Sequence, residues 1–526
     1  MVQPTRAPSP GAAAIRWSAL FLVPFVVLVV LHWTWAPSTA AGDYAQYLSH
    51  ARAITEGRPY GAIGYIYHPA AGLIGPPAYP PGLPLTLAPL VAIGGVHTPL
   101  VRLFMIASVV AFAVLAAWRL ARDMEPWQAA LGSAIAAYSL EASLASVAPI
   151  SDPGFAVMVW ATILAVDAEG PWSWQRVLGV TALGFAAMLY RTAGVALVPA
   201  LFLFALLQRR RLEMRPFIPA TVWSLAGVAA LAAGVVQMPF AERVGNAALD
   251  PAEHLRTFAR QYRTALFDAE LYPFPSNWNL TNDMYHLVAS LFLVLGVVIL
   301  FRRTWRTFLA TFTAAYALML LIAPVAEGRY AWPLYPLVGA AMALGATAVV
   351  RRLAPVWAPR TQASVAGAPV IVAYVLALAA EAPRRAPPSF VGHPDARALF
   401  SWLAERGKES AATTPMRVAF SNPRVLTLET GVAAMGLVPR TPPGQLSALD
   451  QARVTHFIWQ GTGLGPDSAP GNAPCVQRVA DSLPLLFPNR FALEYQNRTF
   501  RVYRVLPPAG ASSGDSVNVR INWSDC

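Results

Sequence analysis

Residues 174–210 read WQRVLGVTALGFAAMLYRTAGVALVPALFLFALLQRR, which is 37 residues with arginine near both ends, at Arg176 and Arg209. One continuous helix of this length would extend roughly 55 Å, nearly twice the thickness of a hydrocarbon core. The stretch therefore predicts two membrane helices that fold back on each other, with the turn at Tyr190–Thr192. That turn places Arg191 on the face opposite to the flanking arginines, where a charged residue indicates function.

The composition of the whole chain also indicates a membrane protein. Of the 526 residues, 56% are hydrophobic and 13% are charged, with a mean hydropathy of +0.46. Such a chain is too apolar for a soluble globule with an ordinary surface. The net charge of +12 comes mainly from arginines in short runs between apolar segments. This distribution is typical of membrane topology and argues against a nucleic-acid partner.

Apolar stretches predict a polytopic α-helical protein with about 11 transmembrane helices. These lie at residues 17–36, 99–120, 128–148, 153–168, 175–190, 193–208, 217–238, 284–301, 306–324, 331–350 and 366–381. Arginines cluster at alternate joints, which predicts an N-terminus inside and a C-terminus outside. The first span resembles a signal peptide in outline, but we expect it to stay as a helix of the bundle.

Two further regions are predicted outside the membrane. Residues 37–98 contain helical patterns at Tyr44–Glu56 and Pro84–Ile93, which we interpret as juxtamembrane helices lying along the bilayer surface. From about residue 383 the sequence becomes polar, which predicts a membrane domain at 1–382 and a small α/β extracytoplasmic domain at 383–526. In the latter we expect a helix at Asp395–Arg406 and strands at Arg417–Phe420, Val425–Leu428, Thr455–Trp459, Phe491–Tyr495 and Thr499–Val505.

Several short motifs occur in the order found in one enzyme superfamily. They are Asp43-Tyr44, Tyr47-Leu48, Ala53-Ile54, Gly57, Tyr60, Pro80-Pro81-Gly82, Ser151-Asp152-Pro153, Arg191-Thr192-Ala193-Gly194 and Arg329-Tyr330-Ala331-Trp332-Pro333-Leu334-Tyr335-Pro336. In these motifs the chain resembles the type C (GT-C) glycosyltransferases, in particular the protein-mannosyltransferase and aminoarabinose-transferase-like group. The resemblance implies transfer of a sugar from a polyprenyl-phosphate donor, with inversion, outside the membrane. The acceptor would be a lipid, a glycan or a protein of the cell envelope.

The resemblance implies catalytic roles for Asp43 and Asp152. Asp43 would take the proton from the acceptor hydroxyl as the new bond forms. Alternatively, or in addition, it caps the helix beginning at Tyr44. Asp152 would orient the acceptor or bind a divalent cation, although a complete set of oxygen ligands is not evident. The alternative for Asp152 is a cap on the helix beginning at Pro153.

Arg191 and Arg329 are predicted to bind the phosphate of the donor. Both fall at the outer face, and a guanidinium group is a permanently charged, fork-shaped phosphate ligand. The alternative is an interfacial arginine paired with a neighbour such as Glu327. We expect Tyr44, His68 and Tyr330 to complete the substrate-binding set.

Other readings of the sequence stay open. Aromatic and histidine side chains of the outer loops, namely Tyr67, His68, His254 and Tyr262, could form an interfacial belt instead of a sugar site. A transporter or flippase is the main alternative function, although transporters place ionisable groups near mid-span and in repeated halves. A ligase that moves a preassembled glycan is a second alternative. In every case we expect a multi-pass protein of the plasma (inner) membrane.

Overall fold

The computed structural model describes most of the chain. The described residues are 9–33, 42–68, 75–138, 148–208, 214–232, 256, 279–322, 328–358, 361–362, 365, 367, 390–412, 414–438, 441–461 and 473–507. Glu327, His254 and Tyr262 lie outside them, as does nearly all of the predicted span 366–381. The chain divides into two compact units. The first comprises Met1–Trp35 and Arg102–Arg385, and the second Ala36–Val101 and Ala386–Cys526.

Helices occur at ten of the eleven predicted spans. They are Pro10–Trp33, Pro99–Leu120, Pro126–Tyr138, Ser151–Val166, Trp174–Tyr190, Leu197–Leu207, Phe217–Ala232, Asn279–Thr304, Phe308–Ile322 and Tyr335–Leu353. Within the described residues, four stretches are long and apolar enough to cross a membrane, namely Pro10–Leu31, Pro99–Leu120, Leu287–Thr304 and Gly328–Leu353. The helical, membrane-type character of the chain is therefore evident, while the exact number of spans and their sidedness stay predictions.

The predicted break in the 174–210 stretch is confirmed. The helix Trp174–Tyr190 ends at Arg191, whose backbone is extended with φ −151° and ψ 139°. A short 3₁₀ helix, Thr192–Ala196, leads into the helix Leu197–Leu207. At Gly194 the chain returns so closely to the preceding helix that a Cβ atom would lie 2.8 Å from the backbone nitrogen of Met188. Glycine is therefore required in this turn.

The helix Tyr335–Leu353 packs through small residues against two neighbouring helices. A Cβ atom on Gly132 would lie 2.3 Å from the backbone nitrogen of Ala340, and one on Gly296 would lie 1.7 Å from the carbonyl oxygen of Ala341. These backbones are thus in direct contact, which is typical of helices packed in a membrane.

The second unit contains a six-stranded sheet. Its strands are β1 (Tyr65–Ile66), β2 (Arg417–Phe420), β3 (Ala433–Gly436), β4 (His456–Gln460), β5 (Phe491–Gln496) and β6 (Phe500–Val505). The order is β1-β3-β2-β4-β6-β5, parallel from β1 to β4 and antiparallel from β4 to β5. Helices of this unit are Asp43–Thr55, Gly82–Gly94, Pro394–Ser410, Pro423–Thr430, Pro442–Gln451 and Ala473–Leu486.

Both predicted juxtamembrane helices exist, at Asp43–Thr55 and Gly82–Gly94, and they pack against each other. Their position along a bilayer surface stays a prediction. The proposed domain boundary at 382 and 383 also stays a prediction. The structure adds that strand β1, from the region before residue 102, pairs with β3 from the C-terminal region.

The predicted strand at Val425–Leu428 is wrong, because these residues lie within the helix Pro423–Thr430. Four consecutive apolar or β-branched residues do not distinguish a strand from a buried helix. Here proline stands in the first turn, and Gly431 ends the helix in the left-handed conformation, with φ 72°. The strand lies further on, at Ala433–Gly436, where alanine and glycine give a weak strand signal.

Candidate functional site

Asp43 belongs to a buried polar cluster in the second unit. Its Oδ1 accepts hydrogen bonds from the Tyr79 hydroxyl at 2.7 Å and from Arg424 Nη1 at 2.8 Å. Arg424 Nη1 also donates to Gln46 Oε1 at 3.1 Å. The side chain of Arg424 is 8% exposed and that of Asp43 is 23% exposed. The Asp43 carboxylate is therefore the counterion of a buried guanidinium group.

The predicted capping role of Asp43 is not what the structure shows. The helix begins at Asp43 itself, its N-cap residue is Gly42, and no side chain caps it. Gly42 has φ 58°, a left-handed conformation that glycine adopts without strain. This turn directs the chain so that Asp43 occupies the first helical turn and binds side chains of other segments.

Electrostatics keep Tyr79 protonated and Arg424 charged. Burial raises the pKa of the Tyr79 hydroxyl well above its usual value, and the charge of Asp43 raises it further. Burial disfavours the charge of Arg424, but the neighbouring Tyr79 and Asp43 side chains outweigh it and raise the pKa of the guanidinium group. Tyr79 and Arg424 are therefore both hydrogen-bond donors to the carboxylate at any physiological pH.

Aromatic and histidine side chains along the Asp43–Thr55 helix hold the adjoining loop. Tyr47 stacks on Tyr79 with ring centroids 4.6 Å apart, and His50 stacks on Tyr60 at 4.2 Å. His50 Nδ1 donates to the carbonyl oxygen of Tyr60 at 2.8 Å, while the Tyr60 hydroxyl donates to the carbonyl of Tyr79 at 2.8 Å. Burial lowers the pKa of His50 to about 4, so the ring is neutral. The carboxylate is thus set in a rigid frame.

Two other predicted binding residues lie in the same unit. Tyr44 follows Asp43 in the first turn of the helix, and His68 lies shortly after strand β1; both are half-buried. Their roles in substrate binding stay predictions.

The remaining predicted site residues form a cluster in the first unit. Arg191 Nη1 donates to Asp152 Oδ1, and the two side chains are 19% and 5% exposed. The guanidinium carbon of Arg191 lies 4.8 Å from the centroid of the Tyr330 ring, and that of Arg329 lies 5.4 Å from the same centroid. The structure thus brings Asp152, Arg191, Arg329 and Tyr330 together in the first unit, while their position at the outer face stays a prediction.

Hydrogen bonds fix the backbone that carries Arg329 and Tyr330. The Tyr316 hydroxyl donates to the carbonyl of Tyr330 at 2.8 Å, and the Tyr335 hydroxyl donates to the carbonyl of Gly328 at 3.1 Å. Asp152 lies in the first turn of the helix Ser151–Val166 and does not cap it, because the N-cap is Ile150 without a side-chain bond. The Asp152 carboxylate therefore holds Arg191.

This cluster is suited to an anion. Because both guanidinium carbons are close to one ring centroid, they lie roughly 10 Å apart at most, where two like charges repel by about 2 kcal/mol at an effective dielectric constant of 20. Asp152 is a counterion of Arg191. A phosphate bound by Arg191 and Arg329 would relieve the repulsion and accept their hydrogen bonds.

A metal site is not apparent in the described part of the chain. No three histidine, cysteine, aspartate or glutamate side chains converge among those residues. Asp43 and Asp152 each bind an arginine. A role for a divalent cation therefore has no support from the geometry of these two carboxylates.

Sequence reasoning missed Arg424, Gln46 and Tyr79 as neighbours of Asp43. Arg424 is separated from Asp43 by 381 residues along the chain, and it directly precedes the segment Val425–Leu428 that was predicted to be a strand. The only local signal was an arginine directly after proline at a helix start, which is common at surfaces. Tyr79 directly precedes the motif Pro80-Pro81-Gly82, but no sequence pattern predicts the partner of its hydroxyl.

Solved structures that are similar to this chain include two of one protein. No protein-family profile matches the sequence, and no curated protein matches it. The structure of ArnT from Cupriavidus metallidurans bound to undecaprenyl phosphate is similar with a TM-score of 0.49 and 11% identity, over 93% of this chain and 97% of that one. The apo structure of the same protein gives a TM-score of 0.48 and 12% identity, over 93% and 98%.

With TM-scores below 0.5, these likenesses do not carry the argument for function, which rests on the side chains described above.

Proposed function

We propose that this chain is a membrane glycosyltransferase that moves a hexose or pentose from a polyprenyl-phosphate donor to an acceptor hydroxyl. The observation that carries the proposal is the pair of guanidinium groups, Arg191 and Arg329, held against the single ring of Tyr330. Two guanidinium groups beside one aromatic ring offer several charge-assisted hydrogen-bond donors to a phosphate group. The apolar helices around it suit the polyprenyl chain of such a donor.

In the proposed reaction, the acceptor oxygen attacks the anomeric carbon of the donor sugar. The bond between that carbon and the phosphate oxygen breaks, and polyprenyl phosphate leaves with the bonding electrons. Arg191 and Arg329 stabilise the charge that develops on the leaving phosphate. Asp152 positions Arg191 through the ion pair between them.

Asp43 is the proposed base that takes the proton of the acceptor hydroxyl, with inversion at the anomeric carbon. Its Oδ1 is held by Tyr79 and Arg424, so the orientation of the carboxylate is fixed before the acceptor arrives. Such pre-organisation favours attack along one direction. Tyr44 and His68 are proposed to contact the sugar or the acceptor.

Location and acceptor are part of the proposal. We place the protein in the plasma (inner) membrane, with the site and the second unit on the extracytoplasmic side, where lipid, glycan or protein acceptors of the cell envelope are available. The support is the alternation of arginine-rich joints in the sequence.

The first experiment measures binding of undecaprenyl phosphate to the purified full chain in nanodiscs. Arg191→Gln and Arg329→Gln should each weaken binding about tenfold, equivalent to about 1.4 kcal/mol. Arg306→Gln is the matched control, because Arg306 also stacks on an aromatic ring, that of Trp305 at 4.2 Å, but is exposed and outside the cluster. Equal binding by all four proteins would contradict the phosphate site.

The second experiment measures transfer itself. Lipid-linked sugars extracted from membranes of the source cells serve as donors, and release of polyprenyl phosphate is the readout. A deletion strain, examined by mass spectrometry of envelope glycans, identifies the product that is missing. No change in any envelope glycan, together with no release of polyprenyl phosphate, would argue for a transporter instead.

A further inference from the structure

The first unit contains a cavity of about 300 Å³ that the proposed reaction does not use. It is lined by the turn before the helix Pro126–Tyr138 and by the arginine-bearing ends of the helices Asn279–Thr304 and Tyr335–Leu353. The latter two helices carry candidate membrane spans. Arginines at the end of a span lie at the level of the lipid head groups, so the cavity opens where a head group would be.

The charges on the cavity wall are unequal. Arg303 and Arg351 contribute two guanidinium groups, and Asp123 and Glu125 contribute two carboxylates. The Asp123 carboxylate is already paired with the buried Arg119 at 2.5 Å. Arg119 also pairs with Asp167 at 2.7 Å. Apart from the Arg119–Asp123 pair, the wall carries two positive groups and one negative group, that of Glu125.

Arg303, Arg351 and Glu125 form no ion pairs with other side chains in the described part of the chain. Arg303 donates Nη1 to the carbonyl oxygen of Asp123 at 2.7 Å, which positions the side chain without neutralising it. Arg351 and Glu125 line the same cavity, yet neither forms an ion pair with any described residue. A ligand with both a negative and a positive group could therefore bind the two arginines and Glu125 at the same time.

The rest of the wall is mixed. Met124, Ile299, Leu344 and Ala348 are apolar, and Gln128 and Thr347 are polar. A cavity whose wall carries charged groups together with apolar side chains suits an amphiphile. Its volume is at the lower end of the range for small-molecule sites, which suits a head group more than an entire lipid.

We infer that this cavity binds the head group of a phospholipid that carries both a phosphate and a primary ammonium, of the phosphoethanolamine type. Arg303 and Arg351 bind the phosphate, and Glu125 accepts hydrogen bonds from the ammonium group. A trimethylated ammonium has no N–H to donate, and a glycerol head group has no positive charge for Glu125. The site therefore distinguishes phosphatidylethanolamine from phosphatidylcholine and phosphatidylglycerol. This inference is independent of the proposed transfer reaction.

The test is lipid retention by the purified full chain, measured by native mass spectrometry after exposure to equal amounts of the three phospholipids. The wild type should retain phosphatidylethanolamine about tenfold better than phosphatidylcholine, equivalent to about 1.4 kcal/mol. Glu125→Gln should abolish this preference while retention of phosphatidylglycerol persists. Arg351→Gln and Arg303→Gln should each reduce retention of phosphatidylethanolamine and of phosphatidylglycerol.

Neighbouring arginines supply the controls. Arg302 and Arg352 are exposed, lie next in sequence to Arg303 and Arg351, and do not line the cavity. Arg302→Gln and Arg352→Gln should therefore leave lipid retention unchanged. Thermal unfolding of each variant verifies that the protein is folded. Equal retention of all three lipids by the wild type would overturn the inference, as would a preference that survives Glu125→Gln or an identical effect of Arg351→Gln and Arg352→Gln.

Discussion

Replacing Asp43 by asparagine should destabilise the second unit, whatever the role of Asp43 in catalysis. The substitution leaves the guanidinium group of Arg424, which is 8% exposed, without its counterion. Removing one partner of a fully buried ion pair costs about 3–5 kcal/mol. Asp43 is 23% exposed, and an asparagine oxygen can still accept from Tyr79, so we expect a smaller cost of about 2–3 kcal/mol.

A double-mutant cycle isolates this coupling. Arg424→Met removes the buried charge and keeps an apolar chain of similar length, so Asp43→Asn should cost much less in that background. We expect a coupling free energy of about 2 kcal/mol between the two positions. Hydrogen exchange of the helices Asp43–Thr55 and Pro423–Thr430 measures it, because exchange reports the free energy of local opening.

The surface pair of Arg490 and Asp450 serves as the control. Its N–O distance is 2.6 Å, but the Asp450 side chain is 42% exposed. Asp450→Asn should therefore change stability by no more than about 1 kcal/mol. Strictly additive effects of Asp43→Asn and Arg424→Met would refute the reasoning about the buried pair.

The cycle also sharpens the catalytic assignment. A double variant that recovers stability but not sugar transfer supports a chemical role for Asp43. Recovery of both would mean that the loss in Asp43→Asn came from the fold alone.

Three further predictions follow from the packing and the pKa shifts. Because the pKa of His50 falls from 6.5 to about 4 on folding, the unfolded chain binds the extra proton first as pH falls. The free energy of unfolding should therefore decrease between pH 6.5 and 4, by about 2 kcal/mol at pH 5. His50→Gln should remove this pH dependence, as measured by thermal unfolding. Tyr79→Phe should cost about 1–2 kcal/mol by hydrogen exchange, less than Asp43→Asn, since it removes one neutral donor and no charge. Gly132→Ala should lower the unfolding temperature because its Cβ would lie 2.3 Å from the Ala340 nitrogen, whereas Gly227→Ala, with open space around it, should be neutral or slightly stabilising.

The helices were predictable because their signals are local. A run of apolar residues indicates a buried or membrane helix without reference to the rest of the chain. The length of the 174–210 stretch alone required a break, which the structure places at Arg191. The alternating joints predicted Arg191 and Arg329 on one face, but no local pattern indicated that both would lie beside the Tyr330 ring or that Asp152 would pair with Arg191.

The surroundings of Asp43 were not predictable in the same way. Hydrogen bonds to Arg424 depend on the path of the chain over hundreds of residues, and neither partner has a periodic pattern that indicates the other. The error at Val425–Leu428 has a similar origin. A short buried run acquires its secondary structure from its neighbours, here Pro423 before it and Gly431 after it.

The pairing of β1 with β3 has a consequence for biosynthesis. Roughly 370 residues separate Ile66 from the start of β3, and at ribosomal rates of 5–20 residues per second their synthesis takes on the order of 20–70 s. During that interval β1 has no partner strand, and Asp43 has no ion pair with Arg424 because Arg424 has not yet been synthesised. The completed carboxylate site is therefore a product of the last stage of synthesis, and a nascent chain that stops early would carry the aspartate without its partner.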